Sequence, residues 1–244
     1  MRSATPALGL SALILLAWLG SLLTCLGPSS QTWPWWLVVA AIGLRTLLQT
    51  GLFIIGHDAM HGLLWPDQPR RNTRLGALAL LLYAGLAYGP CASKHQRHHR
   101  HPGSSRDPDF CTDGSHGWLP WYLEFMAGYL SLGQMSRLLL GWTLLALLTW
   151  GPGAAGPSHV LLFCTLPLLL SSLQLFVVGT YLPHRNQQQP DGHHPPESLD
   201  LPPWLSLLAC FHFGYHREHH DHPELPWFAL PAARQRPRRL TLTG

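Results

Sequence analysis

Charge is scarce in this chain. Asp, Glu, Lys and Arg make up 11% of its 244 residues, against 47% hydrophobic residues. That is less than half the charge of an ordinary soluble domain and points first to a membrane protein. The five cysteines, Cys25, Cys91, Cys111, Cys164 and Cys210, show neither paired nor CxxC spacing, and two lie inside apolar runs. Neither a disulfide framework nor a thiolate metal site is expected. No HExxH and no Ser or Cys nucleophile motif occurs, so a hydrolase has no sequence support, and no nucleic-acid partner is expected. What the chain does have is sixteen histidines. They form much of a polar portion that keeps the mean hydropathy at only +0.08.

Four apolar runs are long enough, at roughly 20 residues per helical crossing, to span a bilayer: residues 7–26, 33–56, 128–150 and 160–182. The first follows Arg2 and is too long for a typical signal h-region, with no small-x-small site after it, so it reads as a retained span. A fifth run, 75–88, amounts to roughly 21 Å of helix and is expected to be re-entrant or interfacial. A sixth, 204–213, is shorter still. The expected fold is an all-α integral membrane protein. It has four transmembrane helices, one short re-entrant or interfacial helix and a histidine-rich di-metal cap, all in a single domain over 1–244.

Lys and Arg accumulate on the cytoplasmic side of membrane proteins. The connections 27–32 and 151–159 carry no charged residue, so every charged loop lies on the other face. Both termini and the histidine-rich regions 57–127 and 183–244 are therefore expected in the cytoplasm, with membrane lipid as the surrounding partner. An even number of crossings separates the histidine clusters, which brings all of them to one face.

Those clusters are His57–His61 (HxxxH), His95–His99 (HxxHH) and His216–His220 (HxxHH). Residues three and four apart share a helix face, so each cluster can present several imidazoles together. Imidazole suits iron, zinc, copper or nickel, and the eight rings His57, His61, His95, His98, His99, His216, His219 and His220 exceed what one ion can use. Two metals are implied. His184, directly after the fourth span and on the same face, is the best further ligand. Asp58, Asp107, Asp109, Glu218 and Asp221 are placed to orient imidazoles through their second nitrogen. His101 and His222 fall off the ligand face. His116, His159, His193, His194 and His212 read as structural, His159 on the opposite face. Arg45, deep in the second run, must face protein or water to offset its burial.

At these boxes the chain resembles the membrane fatty-acid desaturase and hydroxylase superfamily, and within it the β-carotene 4-ketolases. The similar stretches are 51–62, 95–110 with its Asp107-Pro108-Asp109-Phe110, 179–185, and 211–231. The first box has three intervening residues where many desaturases have four, which favours the ketolase branch. The resemblance implies two irons on the boxed histidines, and a further ligand before the third box, which His184 fits. It also implies O2 as co-substrate, an external electron donor, and oxidation of the C4 methylene of a β-ionone ring to a ketone. A carotenoid is as apolar as lipid, so a slot between spans is expected, lined by residues such as Phe53, Phe125 and Phe176. The basic residues on the histidine face would suit an acidic electron carrier such as a ferredoxin. A carotenoid hydroxylase or lipid desaturase of the same superfamily is the near alternative. A membrane metal transporter is the remote one, although transport would place histidines within the spans.

Overall fold

The computed structural model of the chain describes residues 5–111, 117–150, 156–185 and 196–235. The described residues are helical, with no strand among them. The helices are α1 (Thr5–Leu26), α2 (Trp35–Met60), α3 (Pro69–Ala84), α4 (Tyr88–Arg100), α5 (Trp118–Tyr129), α6 (Leu132–Leu148), α7 (Gly156–His184), α8 (Pro203–Cys210), α9 (His216–Asp221) and α10 (Leu230–Arg234). His116, His193, His194, Arg236, Arg238 and Arg239 lie outside the described residues.

By length and composition three helices can cross a membrane: Pro6–Leu26, Trp35–Met60 and Gly156–His184. The number rises to five if each of two bent pairs is one span. Their outer faces carry bare leucines, among them Leu16 at 68% and Leu148 at 82% exposure, as helices that meet hydrocarbon and not water would.

Two expected boundaries change. The third run does not form one helix over 128–150: Gly128 belongs to α5, and α6 starts at Leu132 after an 88° bend. The break falls where Ser131 takes an extended backbone and caps α6 by accepting from Gln134 N. The fifth run breaks at Gly85, whose φ of 67° ends α3 in a left-handed turn. From there α4 departs at 98°.

Helix α2 is central and packs on α1, α3 and α7. It approaches α3 closely, because a Cβ on Gly56 would meet Leu80 Cδ2 at 2.5 Å and one on Gly76 would collide with Ala59 Cβ. Small residues at helix contacts are how apolar helices pack without hydrophobic drive. Polar ties add direction. Thr50 Oγ1 lies 2.7 Å from Ser171 Oγ on α7, and Gln49 accepts from Trp18 Nε1 at 2.7 Å while donating to Tyr83 O.

Helix α7 contains two π-helical turns, Leu161–Thr165 and Val177–Tyr181. Pro167 can donate nothing to Phe163 O four residues earlier, and that carbonyl accepts from Arg45 Nε at 3.0 Å. Arg45 also donates through Nη1 to Trp18 O at 2.9 Å, so this fully buried arginine clamps α1, α2 and α7 together.

Candidate metal centre

The last turn of α2 brings His57 and His61 to one end of the bundle. Asn72 and Tyr88 hold that turn: Asn72 Nδ2 donates to Ala59 O at 2.8 Å, and Tyr88 Oη donates to the same carbonyl at 2.7 Å. Helix α4 then presents His95, His98 and His99. After α8, Phe211 and His212 both adopt positive φ, 48° and 64°, a conformation that side-chain-bearing residues seldom take. This double left-handed turn redirects the chain so that α9 carries His216, His219 and His220 to the same end of the bundle.

Nine histidines converge there as two groups. His57, His61, His95, His99 and His219 form one, and His98, His184, His216 and His220 the other; within each, the ligand nitrogens lie within 4.8 Å of one another. In the first group His61 and His95 approach Nε2 to Nε2 at 2.7 Å, and His99 and His219 at 2.8 Å. In the second, His220 Nε2 lies 3.0 Å from His98 Nε2 and 3.2 Å from His216 Nε2.

The donor set fits metal ions. A neutral imidazole has one N–H and one lone pair, and rings meeting Nε2 to Nε2 around a point cannot all pair with one another. A cation at the focus resolves the conflict, since nitrogens about 2.0–2.1 Å from one ion lie roughly 3 Å apart. Burial favours the neutral form that ligands need. It lowers His61 to about 4 and His99 to about 3, and drives His95, His216, His219 and His220 well below the usual imidazole value.

The two HxxHH clusters do not each serve one point. His98 and His99, adjacent in sequence, face different groups, and His219 parts from His216 and His220. Spacing alone treats each triplet as one face and misses this split. The only available signal was the ring count itself, too large for a single ion.

The carboxylates divide. Asp107 accepts from His98 Nδ1 through both oxygens at 2.9 Å. Burial opposes the His98 cation, but the Asp107 carboxylate outweighs it and holds the His98 pKa up. Asp58 lies 3.4 Å from His57 Nδ1 and also accepts from Trp227 N at 3.4 Å. Asp109 joins His98 and Asp107 in a third close group and accepts from Tyr129 Oη at 3.0 Å. Asp221 and Glu218 orient no imidazole: Asp221 is exposed beside Arg217 at 3.7 Å, and Glu218 accepts from Ser198 and Arg234.

His222, half exposed 3.8 Å from Glu224, and His101, the cap of α4, are in neither group. His159 packs on Phe163 and His212 stacks on Tyr215.

An apolar cavity opens beside the histidines. A small chamber of about 50 Å³ touches His57, His95, His98 and His216. It shares Phe53, Phe125, Tyr129 and Leu175 with a larger apolar chamber of about 370 Å³ between α2, α5, α6 and α7. Phe53 and Phe125 line it. Phe176 does not: fully buried, it backs the wall, packed in tilted contact with Phe125 at 5.4 Å and Tyr122 at 5.2 Å.

The described residues thus define a helical protein with membrane-capable spans and a two-part histidine site facing an apolar slot. A sequence model of the fatty acid desaturase family matches residues 30–242, and the chain belongs to that family. It is similar to the beta-carotene ketolases of two strains of Paracoccus sp. One is 43% identical over 93% of this chain and 92% of the relative, the other 44% over 78% and 76%. The zeaxanthin 4-ketolase of Chlamydomonas reinhardtii is 39% identical over 82% of this chain and 45% of the algal protein.

Proposed function

We propose that this chain, as a single unit over residues 1–244, is a membrane oxygenase that converts the C4 methylene of β-ionone rings of β-carotene to a ketone. The observation that carries the reading is the joining of two histidine groups to one apolar slot, in a chain similar to beta-carotene ketolases over most of its length. Two irons would be held, one by His57, His61, His95, His99 and His219, the other by His98, His184, His216 and His220. Bound iron supplies O2 activation with electrons from an external donor.

The chain's own residues do the rest. Phe53, Phe125 and Leu175 seat the ring and keep water from the reacting carbon. Asp107 fixes the His98 tautomer and Asp58 turns the His57 ring. Two successive hydroxylations at one carbon give a geminal diol, which loses water to leave the ketone. Each hydroxylation uses one O2, two electrons and two protons and releases one water.

In the membrane, α1, α2, α6 and α7 are the four crossings. The α3–α4 pair dips in and returns, and the histidine end and both termini face the cytoplasm. This orientation follows the uncharged connections 27–32 and 151–159. Arg70, Arg71, Arg74, Arg97, Arg100 and Arg106 are exposed and would steer an acidic one-electron carrier of the ferredoxin type to that face.

The test is expression in a β-carotene-accumulating bacterial host with chromatographic separation of pigments. Mono- and diketo products support the reading. Hydroxylated or desaturated products alone, with the protein inserted and loaded with iron, overturn it.

A further inference from the structure

One hydroxyl in the wall of the small chamber is uncommitted. Thr180 is only 8% exposed and lines that chamber with His57, His95, His98 and His216, yet its Oγ1 has no hydrogen-bond partner among the described residues. Other helical threonines behave differently. Thr24, Thr46, Thr50, Thr149 and Thr165 each return their hydroxyl to a carbonyl four or five residues earlier. Ser172, on the same helix as Thr180, donates to Leu169 O and meets Tyr122 Oη at 2.7 Å. Of the other polar groups in the wall, Tyr129 and Asp109 hydrogen-bond each other at 3.0 Å. Thr180 sits in the π-helical turn Val177–Tyr181, an insertion found frequently at functional sites. A buried hydroxyl without a partner is costly, so this wall suits a ligand that brings a hydroxyl of its own.

The position of Thr180 says which hydroxyl. It precedes His184 by four residues, which puts the two side chains on one face of α7, about 5–6 Å apart between Cβ atoms. A group held by Thr180 therefore lies beside the histidines. β-Carotene has no polar atom and cannot use this hydroxyl. The product of a first hydroxylation can, because its C4–OH both donates and accepts, as the threonine does. We propose that Thr180 is a specificity-determining residue that holds the C4 hydroxyl of the half-oxidised ring and retains the alcohol for a second hydroxylation. The inference rests on the ketolase reading and deepens it by naming what separates a ketone-forming site from an alcohol-forming one. In the second round C4–H becomes C4–OH, using one O2, two electrons from the one-electron carrier and two protons and releasing one water. The geminal diol then loses water to leave C=O.

The experiment gives β-carotene to the iron-loaded protein in micelles with a reducing system and separates 4-hydroxy from 4-keto products. The parent is compared with Thr180→Val, which nearly keeps the shape and removes the hydroxyl, and with Thr180→Ser, which keeps the hydroxyl. Thr180→Val is expected to perform the first hydroxylation at the parent rate and to raise the ratio of alcohol to ketone about five- to tenfold, the scale of one hydrogen bond. Thr180→Ser should keep the parent ratio. Binding is read separately in the metal-free protein by quenching of tryptophan fluorescence. The 4,4′-diol of β-carotene should bind the parent more tightly than β-carotene does, and Thr180→Val should lose that preference. An unchanged product ratio in Thr180→Val overturns the proposal, as does equal loss of both hydroxylations at parent iron content and melting temperature. So does a parent protein that shows no preference for the diol, a comparison that needs no variant to fold. Thr180-dependent binding of the diol by a protein that oxidises no ring methylene supports the hydroxyl site and rejects the ketolase reading instead.

Discussion

His98 gives its Nδ1 proton to both carboxylate oxygens of Asp107, at 2.9 Å each, while its Nε2 faces His220 at 3.0 Å and His216 at 3.3 Å. Asp107 is itself fixed, accepting from the backbone N–H of Gly103 and Asp109 at 2.9 Å. The carboxylate therefore sets which nitrogen of His98 can bind metal. Asp107→Asn is expected to weaken metal binding about 10–100-fold, read by titrating metal into the purified variant. Parent-like affinity would show that His98 keeps its tautomer unaided.

The split of the clusters predicts selective metal loss. His99→Ala removes a ring from one group and His220→Ala from the other, so each variant should fall from about two irons to about one per chain. His159→Ala, remote from both groups, should keep both irons. Insertion should be normal in all three, because the apolar spans are untouched. Complete metal loss in both ligand variants would mean that the groups assemble only together.

Acid should destabilise the metal-free protein. Burial holds His61 near 4 and His99 near 3, whereas in the unfolded chain both titrate near 6.5. Between those values the unfolded state binds protons that the native state does not, so stability falls as pH drops from about 7 to about 5. His98 acts with opposite sign, since Asp107 outweighs burial and raises its pKa, and so does Asp109, whose carboxyl burial pushes up, but these are outnumbered by His61, His95, His99, His216, His219 and His220. Thermal melting of chelator-treated protein across that range checks this, and a midpoint that rises on acidification would refute it.

Close approach of α2 and α3 leaves no room at Gly76, where a side chain would strike Ala59 and Tyr88. Gly76→Val is expected to cost about 1–3 kcal/mol and to loosen His57 and His61 through the shared Ala59 contact. Gly9→Ala, with nothing within 4 Å of its added carbon, is the control. Equal melting temperatures for the two variants would dismiss the packing argument.

Arg97 and Arg100 sit exposed on the helix that carries His95, His98 and His99. Reversing both to Glu should slow turnover with reduced ferredoxin at low salt and flatten its salt dependence, at unchanged iron content. Turnover and salt response equal to the parent's would assign these arginines to the membrane surface.

Much was legible in the chain alone. Helical class, the apolar runs and the convergence of three histidine clusters on one face follow from composition, run length and period, which are local properties of adjacent residues. His184 was legible because it directly follows an apolar run. The breaks at Gly85 and Ser131 depend on backbone geometry that hydropathy does not encode: the run over 128–150 divides into α5 and α6, and the bend at Gly85 fits the re-entrant segment expected over 75–88. Phe176 looked like a slot residue because an aromatic in a span reads the same whether it lines a cavity or backs its wall; only packing against Phe125 and Tyr122 decides. The pairing of His98 with His216 and His220, and of His99 and His219 with His57 and His61, is likewise tertiary. Which imidazole meets which is set by the crossing of α2, α4 and α9 and by the left-handed turn at Phe211 and His212; the α4–α9 contacts join segments more than a hundred residues apart.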